Sequence, residues 1–281
     1  MCNIKPKIAI VGVGLIGGSL GLAMKKRRLA AEITGIGRNK KRLQKAKTAG
    51  AIDVLSTEFS DAAEADIVIL SGPVDVIPYA ARKIKPYLKP SCIVTDTGST
   101  KAVIVRKLEN LFPGKFVGSH PLAGSEKSGV RFASPDLFED ATIILTPTEK
   151  TGAATLKKTR KFWTDLGGNV ILLKPQEHDR FTADISHLPH LLAVGLVKFV
   201  LEMPYRKKLK KMIAGGFLDT TRIAAGTPEV WSGIFLTNKK EILRALNGMI
   251  RELEKLGQAI GHNPARLKRI LRIVRSWRQR I

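Results

Sequence analysis

The sequence predicts an α/β protein: a doubly wound, mainly parallel sheet in residues 1–174, followed by an all-helical domain in residues 175–281. Three observations carry this. Short β-branched runs alternate with helical stretches as far as Pro175, the pattern of parallel strands joined by crossover helices. Beyond Pro175 no convincing period-2 run recurs and helical periodicity alone remains. The first strand also runs directly into Gly12-Val13-Gly14-Leu15-Ile16-Gly17, a glycine-rich turn that opens a helix.

The elements follow in order. Lys7-Ile-Ala-Ile-Val11 opens a strand at 7–12, and further short apolar runs place strands at 32–37, 66–71, 91–96, 115–118, 141–146 and 169–173. Between them, stretches rich in Ala, Leu, Lys and Arg place helices at 15–28, 39–49, 75–85, 100–111 and 151–167. The second half reads as helices at 176–203, 205–225, 228–235, 238–261 and 264–280. In the last of these and just beyond it, Leu267, Ile270, Leu271, Val274, Trp277 and Ile281 recur at helical spacing, so one face is apolar and the other basic.

At 281 residues the chain can bury a substantial core and form two domains, with the cleft between them as the default catalytic site. The N-terminus lacks a hydrophobic signal region and no uncharged apolar stretch approaches membrane-spanning length, so a soluble cytoplasmic protein with no membrane partner is expected. Cys2 and Cys92 are too few for a disulfide framework. The formal charge of +24, from 48 Lys+Arg against 24 Asp+Glu, would suit a polyanion binder. Much of it sits at expected helix ends, as in Lys25-Lys26-Arg27-Arg28, where cations complement the carbonyl end of the dipole. Solvated surface charge, with no specific nucleic-acid partner, is therefore the expectation.

In the turn after the first strand, Gly12 permits a tight bend, Gly14 lets backbone approach a pyrophosphate, and Gly17 allows close helix–strand packing. This is a Rossmann-type dinucleotide-binding opening. Nicotinamide enzymes that prefer NAD usually end the second strand in an acid that accepts from the adenosine ribose. Here Gly37 holds that place, and Arg38, Lys40, Lys41 and Arg42 follow without an acid. A guanidinium can bind a 2′-phosphate through charge-assisted bonds, so NADP is expected ahead of NAD; a solvated basic helix start with NAD still preferred is the alternative. The candidate cofactor contacts are Gly12, Gly14, Leu15, Ile16, Gly17, Arg38, Ser71, Pro73 and Ser99.

Candidate chemistry lies in three further stretches. Ile93-Val-Thr-Asp96 leads into Thr97-Gly98-Ser99-Thr100-Lys101 at the carboxyl edge of the sheet, where Ser99 reads as a helix N-cap, a functional hydroxyl, or both. His120 follows in Gly118-Ser-His-Pro-Leu-Ala-Gly-Ser125-Glu126-Lys-Ser-Gly129, a glycine-bounded loop with hydroxyls and an acid. The helical half adds His178, His187 and His190, with Pro189 interrupting the helix, and then Gly215-Gly-Phe-Leu-Asp-Thr-Thr-Arg222 and Trp231. Zinc is the first rival for His187-x-x-His190, but no cysteine or carboxylate cluster completes a site, so no metal is expected. Arg222 beside a diglycine suits a carboxylate clamp, with a surface ion pair to Asp219 as the alternative.

Taken together, Gly12-x-Gly14-Leu-Ile-Gly-Gly-Ser19, Gly98-Ser99-x-Lys101, the His120 loop, Ser186-His-Leu-Pro-His190 and Gly215-Gly-Phe-x-Asp-x-Thr-Arg222 resemble the prephenate/arogenate dehydrogenase family of tyrosine biosynthesis. The resemblance covers almost the whole chain in order. It implies oxidative decarboxylation of a cyclohexadienol, prephenate or alternatively arogenate, and a homodimer formed through the helical domain. It further implies that His120 bonds the ring hydroxyl, that Ser99 orients His120 and touches the nicotinamide region, and that Arg222 binds a substrate carboxylate. Ser125, Glu126, His178, His187 and His190 would line the rest of a pocket for a small dicarboxylate. The family's acid after the second strand is missing here, which bears on cofactor choice and not on the chemistry.

Overall fold

The computed structural model describes residues 5–125 and 127–280. Its first half contains β1 (Lys7–Val11), α1 (Leu15–Lys26), β2 (Glu32–Ile36), α2 (Lys40–Thr48), β3 (Val54–Ser56), β4 (Ile67–Leu70), α3 (Ile77–Ile84), β5 (Ile93–Asp96), α4 (Ala102–Leu111), β6 (Phe116–Pro121), β7 (Thr142–Thr146), α5 (Ala153–Asp165) and β8 (Asn169–Leu172). The strands form one sheet in the order β3-β2-β1-β4-β5-β6-β7-β8. Strand order reverses direction at β1/β4, the switch point that leaves a crevice at the carboxyl edge. Helices cover both faces, and the apolar side chains form two clusters. Val68, Val94, Ile104 and Phe116 belong to one, and Ile10, Ile33, Ile143 and Trp163 to the other.

Two departures from the sequence expectation have local causes. β3 is only three residues long and rides on β2 through Thr34–Val54 to Ile36–Ser56, too short to leave a periodic signal. The pair β6/β7 is antiparallel, with His120 opposite Ile144, whereas every other pair is parallel. An antiparallel partner starts at the edge where β6 ends. The segment after Pro121 therefore never crosses the sheet, and it closes where Leu122 N–H donates to Thr142 O at 2.8 Å. A 3₁₀ turn within it, Val130–Phe132, packs on α1, and Ser134 N–H donates to Ser19 Oγ at 3.0 Å.

The second half contains α6 (Pro175–Thr182), a π turn (Ala183–His187), α7 (Leu188–Leu201), α8 (Arg206–Leu209), α9 (Gly215–Thr221), α10 (Pro228–Thr237), α11 (Lys239–His262) and α12 (Pro264–Arg278). Pro189 does not end the helix. The wider π turn just before it absorbs the missing N–H, so α6 and α7 form one continuous run. The single helix expected over 205–225 is broken into short α and 3₁₀ pieces, because Ala214 is extended and two glycines follow it. By length and composition the 27-residue run Pro175–Leu201 is apolar enough to cross a membrane. Its histidines are buried inside the protein, while Val194, Leu196, Phe199 and Leu201 are exposed.

Candidate active site

The glycine turn fits a dinucleotide on its own geometry. Gly12 has φ +97°, and a Cβ there would lie 2.7 Å from Ser71 O. A Cβ on Gly17 would come within 2.2 Å of Gly12 O, so neither position admits a side chain. Gly14 differs: nothing lies within 4 Å of where its Cβ would stand. It is also the N-cap of α1 and has no side-chain cap, which leaves the helix N-terminus open towards that space. Leu15 and Ile16 are the first residues of α1, and Gly124, at φ +148° in the segment that follows β6, lies against Ile16, whose Cδ1 would sit 3.8 Å from a Gly124 Cβ. Ser71 lies across the crevice, accepting from Thr97 Oγ1 at 3.0 Å, and Pro73 is exposed beside it.

At the end of β2, Arg38 is exposed and Asn39 caps α2 by accepting from Arg42 N–H at 3.0 Å. A Cβ on Gly37 would make only ordinary contact with Leu43, 3.5 Å away. Space therefore does not dictate the glycine that replaces the usual acid.

Around His120 the structure assembles a chain of hydrogen bonds that crosses from the sheet to the helices. His120 Nδ1 lies 2.8 Å from His178 Nε2, and His178 Nδ1 lies 2.8 Å from Asp179 Oδ1. Asp179 also accepts from the backbone N–H of Lys101 at 2.7 Å and of Ala102 at 2.9 Å. A carboxylate of α6 thus caps α4, which has no side-chain cap of its own. These bonds settle the direction of the chain. Asp179 accepts, so the His178 proton is on Nδ1 and its Nε2 accepts. His120 must then donate through Nδ1, which leaves its Nε2 with a lone pair.

Burial holds these rings neutral. His120 is pushed well below the usual histidine range, mainly by desolvation and then by the positive potentials of His178 and Lys101. Desolvation also lowers His178, against the opposing pull of Asp179. It brings His187 and His190 down to about 4. Beneath His120, the fully buried Lys101 ammonium bonds Asp96 Oδ2 and donates to Ser119 O at 2.7 Å. Asp96 in turn accepts from Gly98 N–H at 2.8 Å and Ser119 N–H at 3.2 Å, so one ion pair fixes both backbone segments.

Two expectations need correction. Ser99 neither caps α4 nor bonds His120 Nδ1. Asp179 takes the first task and His178 the second, while Ser99 stays half-buried in the loop beside them. His178 does not line the pocket, because both its nitrogens are committed to Asp179 and His120.

The other site residues are placed as follows. His187 and His190 are buried on the α6–α7 run. His190 stacks on Trp231 at 3.4 Å with an interplanar angle of 11°, a contact that Gly226 permits because a Cβ there would lie 2.4 Å from Trp231 Nε1. Ser125 is exposed and accepts from Lys127 N–H at 3.2 Å, and Arg222, also exposed, opens the 3₁₀ turn Arg222–Ala225. Glu126 lies outside the described residues.

Two residues of this network are not singled out by their sequence context: Asp179, and Asn238 at the junction of α10 and α11. Asn238 Nδ2 donates to Asp179 O at 2.7 Å and lies 3.2 Å from His187 Nδ1. The only available sequence signal was adjacency, Asp179 to a candidate histidine and Asn238 to a helix boundary.

Comparison with known proteins gives a consistent result. The family model described as prephenate dehydrogenase, nucleotide-binding domain, matches residues 20–172, and that described as prephenate dehydrogenase, dimerization domain, matches residues 174–274. A prephenate dehydrogenase of Bacillus subtilis is 37% identical over 261 residues, 91% of this chain and 70% of the relative. A crystal structure of prephenate dehydrogenase from A. aeolicus, in complex with hydroxyphenyl propionate and NAD+, superposes with a TM-score of 0.95 at 36% identity, covering 100% of this chain and 99% of the other. Synechocystis arogenate dehydrogenase gives a TM-score of 0.83 at 31% identity, covering 98% of this chain and 99% of that one.

Proposed function

We infer the activity of this chain from the premise that it belongs to the prephenate dehydrogenase family. It is a prephenate dehydrogenase: it oxidises and decarboxylates prephenate to 4-hydroxyphenylpyruvate, using a nicotinamide cofactor. The observation that carries the mechanism is the chain Asp179–His178–His120, which ends in a neutral imidazole lone pair at the carboxyl edge of the sheet.

The cofactor supplies the hydride acceptor when bound; the open Gly14 cradle and the uncapped start of α1 would hold its pyrophosphate. His120 Nε2 accepts the proton of the ring hydroxyl as hydride leaves the same carbon, drawing off the positive charge that develops there. The ring carboxylate then departs as CO2, its bonding electrons aromatise the ring, and the His120 imidazolium can return the proton to the phenolate oxygen. His178 holds the tautomer throughout, and Asp179 holds His178. Arg222 would bind a substrate carboxylate, Ser125, Glu126, His187 and His190 would line the rest of the pocket, and Ser99 would lie beside the nicotinamide. Residues 1–174 would serve as the cofactor half, and 175–281 as the substrate and dimerisation half.

Two finer readings belong here. Arg38, Lys40, Lys41 and Arg42, without an acid among them, support NADP over NAD. The exposed apolar surface of α7 and α12 supports a homodimer formed through the helical half. A cytoplasmic setting, with neither a membrane nor a specific nucleic acid as partner, belongs to the same reading and rests on the sequence. The test is a spectrophotometric assay of prephenate and arogenate against NAD and NADP. Prephenate with NADP should be the best of the four pairs, and Arg38→Ala should weaken NADP by roughly 10- to 100-fold while sparing NAD. Preference for arogenate would reassign the substrate, and equal losses for both cofactors would remove Arg38 from the 2′-phosphate.

A further inference from the structure

Asn238 is wholly contained in the helical half, yet it determines what one of the site histidines offers to a ligand. Its amide nitrogen lies 2.7 Å from Asp179 O and 3.2 Å from His187 Nδ1. A backbone carbonyl can only accept, so the atom facing it is the NH2 and not the amide oxygen, which removes the usual ambiguity of amide orientation. The second hydrogen of the same NH2 points to His187 Nδ1. That nitrogen must therefore carry a lone pair, and the His187 proton must reside on Nε2. Burial keeps the ring neutral, so no second proton is available to blur the assignment.

The result is a pair of imidazoles locked in opposite senses. His120 is held by His178 with its lone pair on Nε2, and His187 is held by Asn238 with a hydrogen on Nε2. Among the described residues neither Nε2 has a hydrogen-bond partner, and neither is sealed from solvent as His190 Nδ1 is. One ring can take a proton from the substrate. The other can only donate a hydrogen bond to it, which suits a carboxylate oxygen.

We propose that Asn238 is a positioning residue that locks His187 as an Nε2–H donor to a carboxylate of the bound substrate, with the carboxylate assignment resting on the functional reading above. Asn238→Asp keeps the shape and reverses the logic. A carboxylate at 238 accepts from His187 Nδ1, which draws the proton to that nitrogen and turns Nε2 into an acceptor facing an anion.

The experiment combines nitrogen-15 NMR of labelled histidines with steady-state kinetics on the full chain, the His187 signals being assigned through His187→Gln. In the wild type, His187 should show the proton on Nε2 and none on Nδ1; in Asn238→Asp, Nδ1 should be protonated. KM for prephenate should rise by roughly 10- to 100-fold, as expected for loss of a hydrogen bond to a charged group, with kcat and cofactor affinity changed far less. A wild-type proton on Nδ1 would overturn the proposal even if the variant fails to fold. So would a switched tautomer with unchanged KM. Absence of prephenate turnover in the wild type would defeat the functional reading instead and, with it, the carboxylate assignment, while the NMR result would still decide the tautomer lock.

Discussion

The glycine cradle and the histidine network share one edge of the sheet, yet they are built by opposite means. The cradle works through missing side chains: Gly12 and Gly17 have no room for a Cβ, and Gly14 leaves an open space at the start of α1. Six consecutive residues specify it. The histidine network works through side chains that satisfy one another across two halves of the chain, from His120 on β6 to His178 and Asp179 on α6 and Asn238 beyond α10. The lesson is that recognition of a constant pyrophosphate can be delegated to local backbone. A neutral base of defined tautomer needs tertiary structure to desolvate it and orient it.

The sharpest way to break this comparison is to remove the lone pair. His120→Asn keeps a polar side chain but cannot take the hydroxyl proton, and turnover should fall by about 10²- to 10⁴-fold. Cofactor affinity, which rests on the cradle, should stay within about twofold if the two regions act separately. Fluorescence titration of the cofactor beside initial-rate kinetics reads both. Near-wild-type kcat would return His120 to a structural role.

This division also explains what was legible in the sequence. The sheet, the cradle and His120 were readable because each is written in a contiguous run with its own period or glycine spacing. β3 was invisible, since a three-residue strand borrowed from β2 has no pattern of its own. Pro189 misled because a proline predicts a broken helix, and nothing in the sequence announces the π turn that accommodates it. His178 was identified as a site residue but given the wrong task. Whether a histidine faces ligand or protein depends on what surrounds both nitrogens, and here Asp179 and His120 take both. Asp179 and Asn238 gain their meaning only from contacts 77 and 59 residues distant in sequence, to Ala102 and Asp179 respectively.

Acid should separate the two regions next. For a histidine whose folded pKa lies below its ordinary value, the unfolded chain binds a proton that the folded chain refuses. Stability from such a group is complete above about pH 6.5 and is lost as pH falls towards the folded value. His187 and His190, both brought down to about 4, set the window from about 6.5 to about 4. The loss by pH 5 should be on the order of 2–4 kcal/mol for the two together. His187→Gln should flatten the dependence of Tm on pH, because one proton leaves the balance. A Tm independent of pH between 7 and 5, on the assay scale, would show that these rings are not held neutral.

The cradle gives a smaller effect with a cleaner signature. Gly14→Ala places a methyl group where no protein atom lies within 4 Å, so Tm should be unchanged. The same methyl group would stand in the path of the pyrophosphate, and cofactor affinity should drop by roughly tenfold or more as backbone hydrogen bonds to phosphate lengthen. Gly17→Ala, with its 2.2 Å clash against Gly12 O, should instead lower Tm. Equal stability losses in the two variants would mean that the space beside Gly14 is structural.

The smallest expected effect tests whether the halves communicate beyond the histidine chain. Thr100 Oγ1 lies 2.9 Å from Thr237 Oγ1, and Thr237 donates its own hydrogen to Gly233 O at 2.7 Å, so Thr100 is the donor. This bond also joins the sheet half to the helical half, one residue from Asn238. Thr100→Val preserves the shape in a fully buried position and removes only that donor, at a cost of about 1 kcal/mol. Thermal melting should shift by about 2–4 °C. Because neither threonine touches a histidine nitrogen, kcat should remain within about twofold, as expected for an interaction that contributes equally to ground and transition states. A tenfold loss of kcat on the same variant would show that His120 is aligned by the whole contact between the halves, and that Asp179 and His178 alone do not hold it.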